Sequence, residues 1–337
     1  MGKPLSGALN IDLEAIQSAL REVVNSDSDL PSPSPIRDHV LKLLDAGGKR
    51  LRPILVIVGS RFGQPVGKPI VMRTAVMLEY LHTASLIHDD VIDRSELRRG
   101  VPTLHSVTDV HTAVHVANYM MARAIEWTAG IGDGKPPDEG GDSEFDETVQ
   151  HSMELASIVP ELCLGEYVQL RDRFNFDRSM DEYLSKTRSK TALLMAHCLR
   201  AGARAAGAED EVCRLLFDYG EAIGMAFQIR DDVLDYTQPE SAIGKPAGSD
   251  LRNGALTLPV LYALEDPALA PVLRSLRADS SDAEYREAIR LICDSGAIER
   301  SLELADLYVA ASEAILDRLA AYPASRDLKV LSGYFMR

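Results

Sequence analysis

Apolar residues recur every three or four positions along most of the chain, in runs long enough for several helical turns. Residues 11–25 (IDLEAIQSALREVVN) form one amphipathic stretch of this kind. The same pattern predicts helices at 36–46, about 52–62, 70–92 and 112–129. It continues at about 148–170, 180–206, 209–236, 256–264, 284–294 and 297–321. In the last of these, Leu304, Tyr308, Ala311, Ile315 and Leu319 fall on one stripe. Strand-like alternation nowhere runs beyond a few residues, so an all-α fold is expected.

The breaks in this pattern divide the chain. Pro31-Ser-Pro-Ser-Pro35 ends the first helical stretch, so residues 1–35 read as an N-terminal helix followed by a stiff proline-rich linker. Gly47-Gly48 stops the next helix. Residues 130–147 (GIGDGKPPDEGGDSEFDE) are rich in glycine, proline and acid. The helical pattern returns unchanged after them, which predicts an acidic surface loop within a domain.

Composition narrows the function classes. With 46% hydrophobic and only 6% aromatic residues, the chain suits packed helices better than a β-sandwich. A net charge of −15 argues against a nucleic-acid partner, which requires a basic surface. Any anionic substrate must then be held by local basic groups and metal ions. The four cysteines, Cys163, Cys198, Cys213 and Cys293, form no CxxC pair and suggest neither a zinc site nor disulfides. Residues 1–10 lack a signal-peptide core, and no apolar run reaches the ~20 residues of a membrane span. A soluble cytoplasmic protein without membrane insertion is expected.

One long-range echo carries chemistry. HDDVID at 88–93 and RDDVLD at 230–235 both contain DDxxD, and each ends a long apolar helical stretch. Positions i and i+4 share a helix face, so Asp89 projects with Asp93, and Asp231 with Asp235. Asp90 and Asp232 lie about 100° around the helix. Carboxylates one turn apart repel by ~1 kcal/mol in water and ~4 kcal/mol at an effective dielectric of 20. They therefore need a counter-charge. Oxygen donors without His or Cys favour a hard cation, Mg²⁺ first, bridging carboxylate to phosphate.

Further motifs surround the boxes. They are Gly47-Gly48-Lys49-Arg50-Leu51-Arg52-Pro53, LHTASLIHDDVID at 81–93, and Arg98-Arg99-Gly100-Val101-Pro102-Thr103. Then come Gly165-Glu166-Tyr167-Val168-Gln169-Leu170, Lys190-Thr191-Ala192, AFQIRDDVLDY at 226–236, Gly244-Lys245-Pro246, Asp250-Leu251 and Thr257-Leu258-Pro259. In this order they resemble the polyprenyl synthetase family, most closely its long-chain polyprenyl diphosphate synthases.

The resemblance implies one isoprenoid synthase domain over 1–337, a helical bundle around a central cavity, in place of the two domains that length alone suggests. It implies a Mg²⁺-dependent prenyltransferase that joins isopentenyl diphosphate to an allylic diphosphate, and a homodimer. Asp89, Asp90 and Asp93 match the first aspartate-rich motif, and Asp231, Asp232 and Asp235 the second. Of these, Asp89, Asp93 and Asp231 are the expected metal ligands. Lys49, Arg52, His82 and Arg99 match the isopentenyl diphosphate pocket. Arg98, Lys190, Thr191, Gln228 and Lys245 match allylic diphosphate contacts, with Lys190 among the catalytic groups.

Ala84 and Ser85, four and five residues before Asp89, are small where short-chain members carry aromatics. A product of twenty-five carbons or more is therefore expected. Leu81, Tyr80, Leu78 and Met77, with Met120, Met121 and Trp127, are candidates for a deeper floor. Ala117-Asn118 stands where the family usually has Gly-Asp. The alternatives are a short-chain synthase, a silent partner subunit and a terpene cyclase. Two intact boxes argue against the last two.

Overall fold

The computed structural model describes residues 4–30, 34–64, 68–128, 156–160, 163, 171–238 and 246–336. In chain order the helices are α1 (Leu5–Ala8), α2 (Leu13–Ser26), α3 (Pro35–Asp45), α4 (Leu51–Ser60) and α5 (Lys68–Ile92). A two-strand hairpin follows, β1 (Leu97–Arg98) and β2 (Val101–Pro102). Next come α6 (Leu104–Val107), α7 (Val110–Thr128), α8 (Met180–Thr187), a π-helical turn (Arg188–Ala192) and α9 (Leu193–Ala205). The remainder are α10 (Asp210–Thr237), α11 (Ser249–Arg252), α12 (Leu258–Ala263), α13 (Ala270–Ser275), α14 (Asp282–Asp294), α15 (Ala297–Arg318) and α16 (Ser325–Phe335). The fold is all-α, and none of the described helices is long and apolar enough to cross a membrane.

Local chemistry explains the helix starts. Asp12 caps α2 by accepting from the backbone of Glu14 and Ala15. Ser179 with Glu182, and Ser281 with Glu284, close reciprocal capping boxes at α8 and α14. On α2, Ile16, Leu20 and Val24 are buried four residues apart, as one apolar stripe requires.

Two expectations need correction. The continuous helix expected over 180–206 is interrupted at Arg188–Ala192 by the π turn. Residues 192–199 beyond it are buried on every side, so no single apolar stripe is present whose shift would announce the extra residue. Short helices at α1, α6, α11, α13 and the C-terminal α16 fall outside the expected set, being mostly shorter than a period search resolves. The loop at 130–147, the motif at 165–170, Lys245 and most of the helix expected at 148–170 lie outside the described residues.

The chain forms two compact units. The first comprises Met1–Leu162, Met195–Phe217 and Ala321–Val330, and the second Cys163–Leu194, Asp218–Ala320 and Leu331–Arg337. In the first, α5 packs along α4 and α7. Gly59 and Gly202 let α4 approach α9 backbone to backbone: a Cβ on Gly59 would strike the Leu199 carbonyl, and one on Gly202 the Val56 carbonyl. In the second, Tyr183, Ile229, Val233, Tyr236, Leu251 and Leu258 join Tyr285, Ile289 and Ile292 in one core. That core fixes α10, which carries the second aspartate box.

Candidate active site

The first unit holds one half of the predicted chemistry. Helix α5 ends at its aspartate box, and the three carboxylates meet different environments. Asp90 is 2% exposed, whereas Asp89 is half-buried and Asp93 exposed. The buried Asp90 accepts from Arg98 Nε at 2.7 Å. Burial pushes its carboxyl above the usual range, and the charge of Arg98 opposes that shift. Of the flanking pair, Asp93 is open to solvent and Asp89 keeps part of its surface.

Basic groups gather beside this helix end. Arg99 lies at the hairpin turn with a left-handed backbone (φ 52°). Its Nη1 donates to the Gly47 carbonyl, and its guanidinium fills the space that a Cβ on Gly48 would need. Gly48 is required by its own φ of 145°, while the guanidinium, the end of a flexible side chain, uses the space that its missing Cβ leaves. Arg50 is also left-handed (φ 49°) and buried, and its Nη1 pairs with Glu79 Oε1 at 2.7 Å. His82 keeps some exposed surface. Even so, burial, aided by the charges of Arg52, Arg99, Arg98 and Arg50, holds its imidazole well below the usual histidine range. It is a neutral hydrogen-bonding group at neutral pH. Lys49 is exposed and Arg52 half-buried. The structure thus brings Arg52, His82, Arg98 and Arg99 into one electrostatic neighbourhood.

The chain-length candidates lie further back on α5. Ala84 has no exposed surface, while Ser85 is half-buried with its hydroxyl donating to the His82 carbonyl at 2.8 Å. Tyr80 is fully buried, its ring 5.4 Å from that of Trp127. Arg123 stacks over Trp127 at 5.8 Å and is anchored by Asp27 at 2.9 Å. Met120 and Met121 are buried in the same unit.

The second unit repeats the inward–outward division. Asp231 is exposed, Asp235 half-buried, and Asp232 2% exposed. Asp232 accepts from Tyr183 Oη at 2.7 Å and from Gln228 Nε2 at 2.8 Å. Gln228 Oε1 in turn accepts from Thr191 Oγ1 at 2.8 Å. The chain Thr191–Gln228–Asp232 ties the π turn, which also carries Lys190, to the second box. Gly224 makes room for that turn, since a Cβ there would lie 2.7 Å from Ala192 Cα. Asp235 Oδ2 accepts from the backbone of Asp250 at 3.0 Å and so caps α11 with a side chain from another helix.

Three residues of this half escaped the sequence reading. Tyr183 anchors Asp232. Lys186 lies in the field of Asp232 and Asp250, and burial lowers its ammonium pKa against their attraction. Asp250 is a further carboxylate, pushed up to about 7 by burial and by Asp232 and Asp235. Its position in the Asp250-Leu251 motif was the available signal.

Among the described residues, no three His, Cys, Asp or Glu side chains form a ready metal cage. The donor set nevertheless suits Mg²⁺, which takes one or two carboxylates and completes its shell with water and substrate phosphate. The two aspartate boxes provide such oxygen donors, with no soft ligand among them.

The polyprenyl synthetase family model matches residues 34–292, more than half of the chain. A heptaprenyl diphosphate synthase component 2 of Geobacillus stearothermophilus is 38% identical over 332 residues, 98% of this chain and 97% of that protein. The crystal structure of a decaprenyl diphosphate synthase from Rhodobacter capsulatus superposes with a TM-score of 0.83 at 32% identity, covering 98% of this chain and 97% of the other. A geranylgeranyl pyrophosphate synthase from Lactobacillus brevis reaches 0.79 at 27% identity, covering 96% of each chain. Enzymes named for a decaprenyl and for a geranylgeranyl product thus both share this overall fold. The chain belongs to the polyprenyl synthetase family.

Proposed function

We propose that the protein is an active trans-prenyltransferase that condenses isopentenyl diphosphate with an allylic diphosphate to a linear polyprenyl diphosphate of twenty-five carbons or more. The observation that carries this is the shared construction of the two boxes. In each, the middle aspartate is buried and bonded by the protein, and one flanking aspartate, Asp93 in the first box and Asp231 in the second, is exposed. A silent subunit would have no need of two boxes built alike. Our reading takes residues 1–337 as one catalytic domain.

Asp89, Asp93 and Asp231 would hold Mg²⁺, which supplies charge neutralisation for the diphosphate as it departs. Lys190, with Arg98, Thr191, Gln228 and Lys245, binds the allylic diphosphate. Lys49, Arg52, His82 and Arg99 orient isopentenyl diphosphate. The allylic carbon–oxygen bond breaks, the isopentenyl double bond attacks the allylic carbon to form the new carbon–carbon bond, and a proton leaves to the released diphosphate. The fixed cations stabilise the charge that develops on the leaving group, so no protein nucleophile is needed.

The small side chains of Ala84 and Ser85 below the first box support the long product. A short-chain synthase stopping at fifteen or twenty carbons is the alternative. Purified protein given Mg²⁺, labelled isopentenyl diphosphate and each short allylic primer decides between them by chromatography of the products. Chains of twenty-five carbons or more support the long-chain reading, and termination at twenty or fewer refutes it.

We further propose a cytoplasmic homodimer. All four cysteines are free thiols, which suits a reducing compartment. The printed name of the Geobacillus relative, "component 2", motivates a second reading in which activity requires a different chain. Light scattering with parallel assays separates them: an active particle of twice the chain mass supports the homodimer, and an inert one the second reading.

A further inference from the structure

The motif Lys49-Arg50-Leu51-Arg52 contains one basic residue that the substrate assignments leave unused. Arg50 points inward, 5% exposed, while Lys49 is exposed and Arg52 half-buried. Its guanidinium is held from three sides. Nη1 donates to Glu79 Oε1 at 2.7 Å, and Nη2 to Gln17 Oε1 at 2.7 Å and to the Leu44 carbonyl. Its backbone is left-handed, which costs energy for any residue with a Cβ and persists only where surroundings enforce it. That turn sets the direction in which the chain enters α4, and so where Lys49 and Arg52 project.

Glu79 is the anchor. It lies on α5, three residues before His82, and is 3% exposed. Its second oxygen, Oε2, is buried and has no hydrogen-bond partner among the described residues. An acceptor left open inside a protein is expensive and calls for a reason. The field of Glu79 acts on Arg99, where it opposes the effect of burial on the guanidinium. Arg99 is itself fixed at the other end of the same loop by the Gly47 carbonyl. One buried carboxylate thus pairs with Arg50, and its charge also reaches Arg99, which borders the same Gly47–Lys49 loop.

We propose that Glu79, acting through Arg50 and on Arg99, is the positioning residue of the isopentenyl diphosphate pocket. The buried pair fixes the left-handed turn that aims Lys49 and Arg52. The same carboxylate supplies the counter-charge that lets Arg99 stand close to Arg50 and Arg52 before substrate arrives. A merely stabilising role predicts something different, because a buried ion pair is often replaced by apolar residues of similar volume without loss of stability. This inference rests on assigning Lys49, Arg52, His82 and Arg99 to isopentenyl diphosphate.

The test compares wild type, the double variant Arg50→Met/Glu79→Leu, the single variant Glu79→Gln, and Arg99→Ala. Thermal melting, kcat and the KM for each substrate are measured on the full chain. The double variant is expected to melt cooperatively, with the KM for isopentenyl diphosphate raised at least tenfold and the allylic KM within twofold. A cooperative double variant with an unchanged isopentenyl KM overturns the proposal, as does an equal rise in both KM values. Should the double variant fail to fold, Glu79→Gln decides: a threefold or larger rise confined to the isopentenyl KM supports positioning, and no rise refutes it. Arg99→Ala separates the two levels. If it leaves the isopentenyl KM unchanged, the pocket assignment falls and this inference with it. If it raises that KM while the double variant does not, only the positioning role falls.

Discussion

Arg98 Nε donates to Asp90 Oδ1 at 2.7 Å, turning the middle aspartate of the first box away from the pair that flanks it. The Asp90 side chain is 3% exposed and the Arg98 side chain 24%. Removing the guanidinium would leave a buried carboxylate without its charged partner. Arg98→Leu should therefore cost about 1–3 kcal/mol in denaturant unfolding, the penalty for an unsatisfied buried group. Solvent at Arg98 keeps it below the full cost of breaking a wholly buried pair. Adding Asp90→Asn should recover part of the loss. By contrast, Asp89→Asn and Asp93→Asn should change stability by no more than about 0.5 kcal/mol while cutting turnover by orders of magnitude. Equal behaviour of all three aspartates in both measurements would contradict the division.

Turnover should depend on a divalent cation. The carboxylate pairs offer oxygen alone, and no described cage can hold an ion without help from substrate and water. Excess chelator should abolish product formation, and added Mg²⁺ should restore it. Full activity in the presence of chelator would sink the metal assignment. Isothermal titration should show little Mg²⁺ binding to the free protein and much tighter binding once an unreactive diphosphate analogue is present.

The two diphosphates should separate by mutation. Arg99→Ala removes a guanidinium from the neighbourhood of Arg52 and His82. It should raise the KM for isopentenyl diphosphate. Lys190→Ala, on the π turn, should act mainly on the allylic substrate. Each loss of a charged hydrogen bond is worth roughly 1.5–3 kcal/mol, or about ten- to a hundredfold in binding. Identical effects of both variants on both substrates would show that the division is wrong.

His82 gives a pH dependence of definite sign. Its folded pKa is depressed below the ordinary 6.5. As pH falls below 6.5 the unfolded chain takes up a proton that the folded protein still refuses. The stability contribution is complete above that value and is lost as pH falls toward the folded pKa. The melting temperature should drop between pH 7.5 and 5.5. His39, depressed by burial, contributes in the same direction. His82→Gln should flatten the profile in part, and an unchanged slope would mean that His82 is not the group responsible.

Periodicity was enough for helices such as α2, whose buried residues form one stripe, and the DDxxD boxes stood out because the same motif closes two apolar helical stretches. Even the inward turn of Asp90 and Asp232 follows from their offset of about 100° around the helix. Their partners did not follow. Arg98 is eight residues from Asp90 but reaches it through a hairpin, and Tyr183 is 49 residues from Asp232. Nothing in the spacing of a sequence states such contacts. The π turn was hidden for a different reason, since residues 192–199 are buried on every side and leave no single apolar stripe whose shift could reveal an extra residue. Glu79 was passed over because a lone glutamate on a helix is ordinarily a solvated charge, and only its burial reveals otherwise.

Product length should respond to bulk below the first box, and the two small residues there should respond differently. Ser85 lies four residues before Asp89, on the same helix face and about 6 Å down the axis. It is half-buried, and its hydroxyl already bonds within its own helix, so an aromatic ring in its place displaces little. Ala84 is enclosed on all sides. A phenylalanine there must push into packed neighbours, at a cost of about 1–3 kcal/mol. Both Ser85→Phe and Ala84→Phe should shorten the product with the first condensations still proceeding, and Ala84→Phe should also lower the melting temperature. Further down, Tyr80 and Trp127 form a rigid tilted pair backed by Arg123. Tyr80→Ala should lengthen the product if growth is stopped at that depth. Chromatography of the products reads all three. If both phenylalanine variants leave a long product unchanged, the hydrocarbon chain takes another course, and the assignment of Ala84 and Ser85 to its path is wrong.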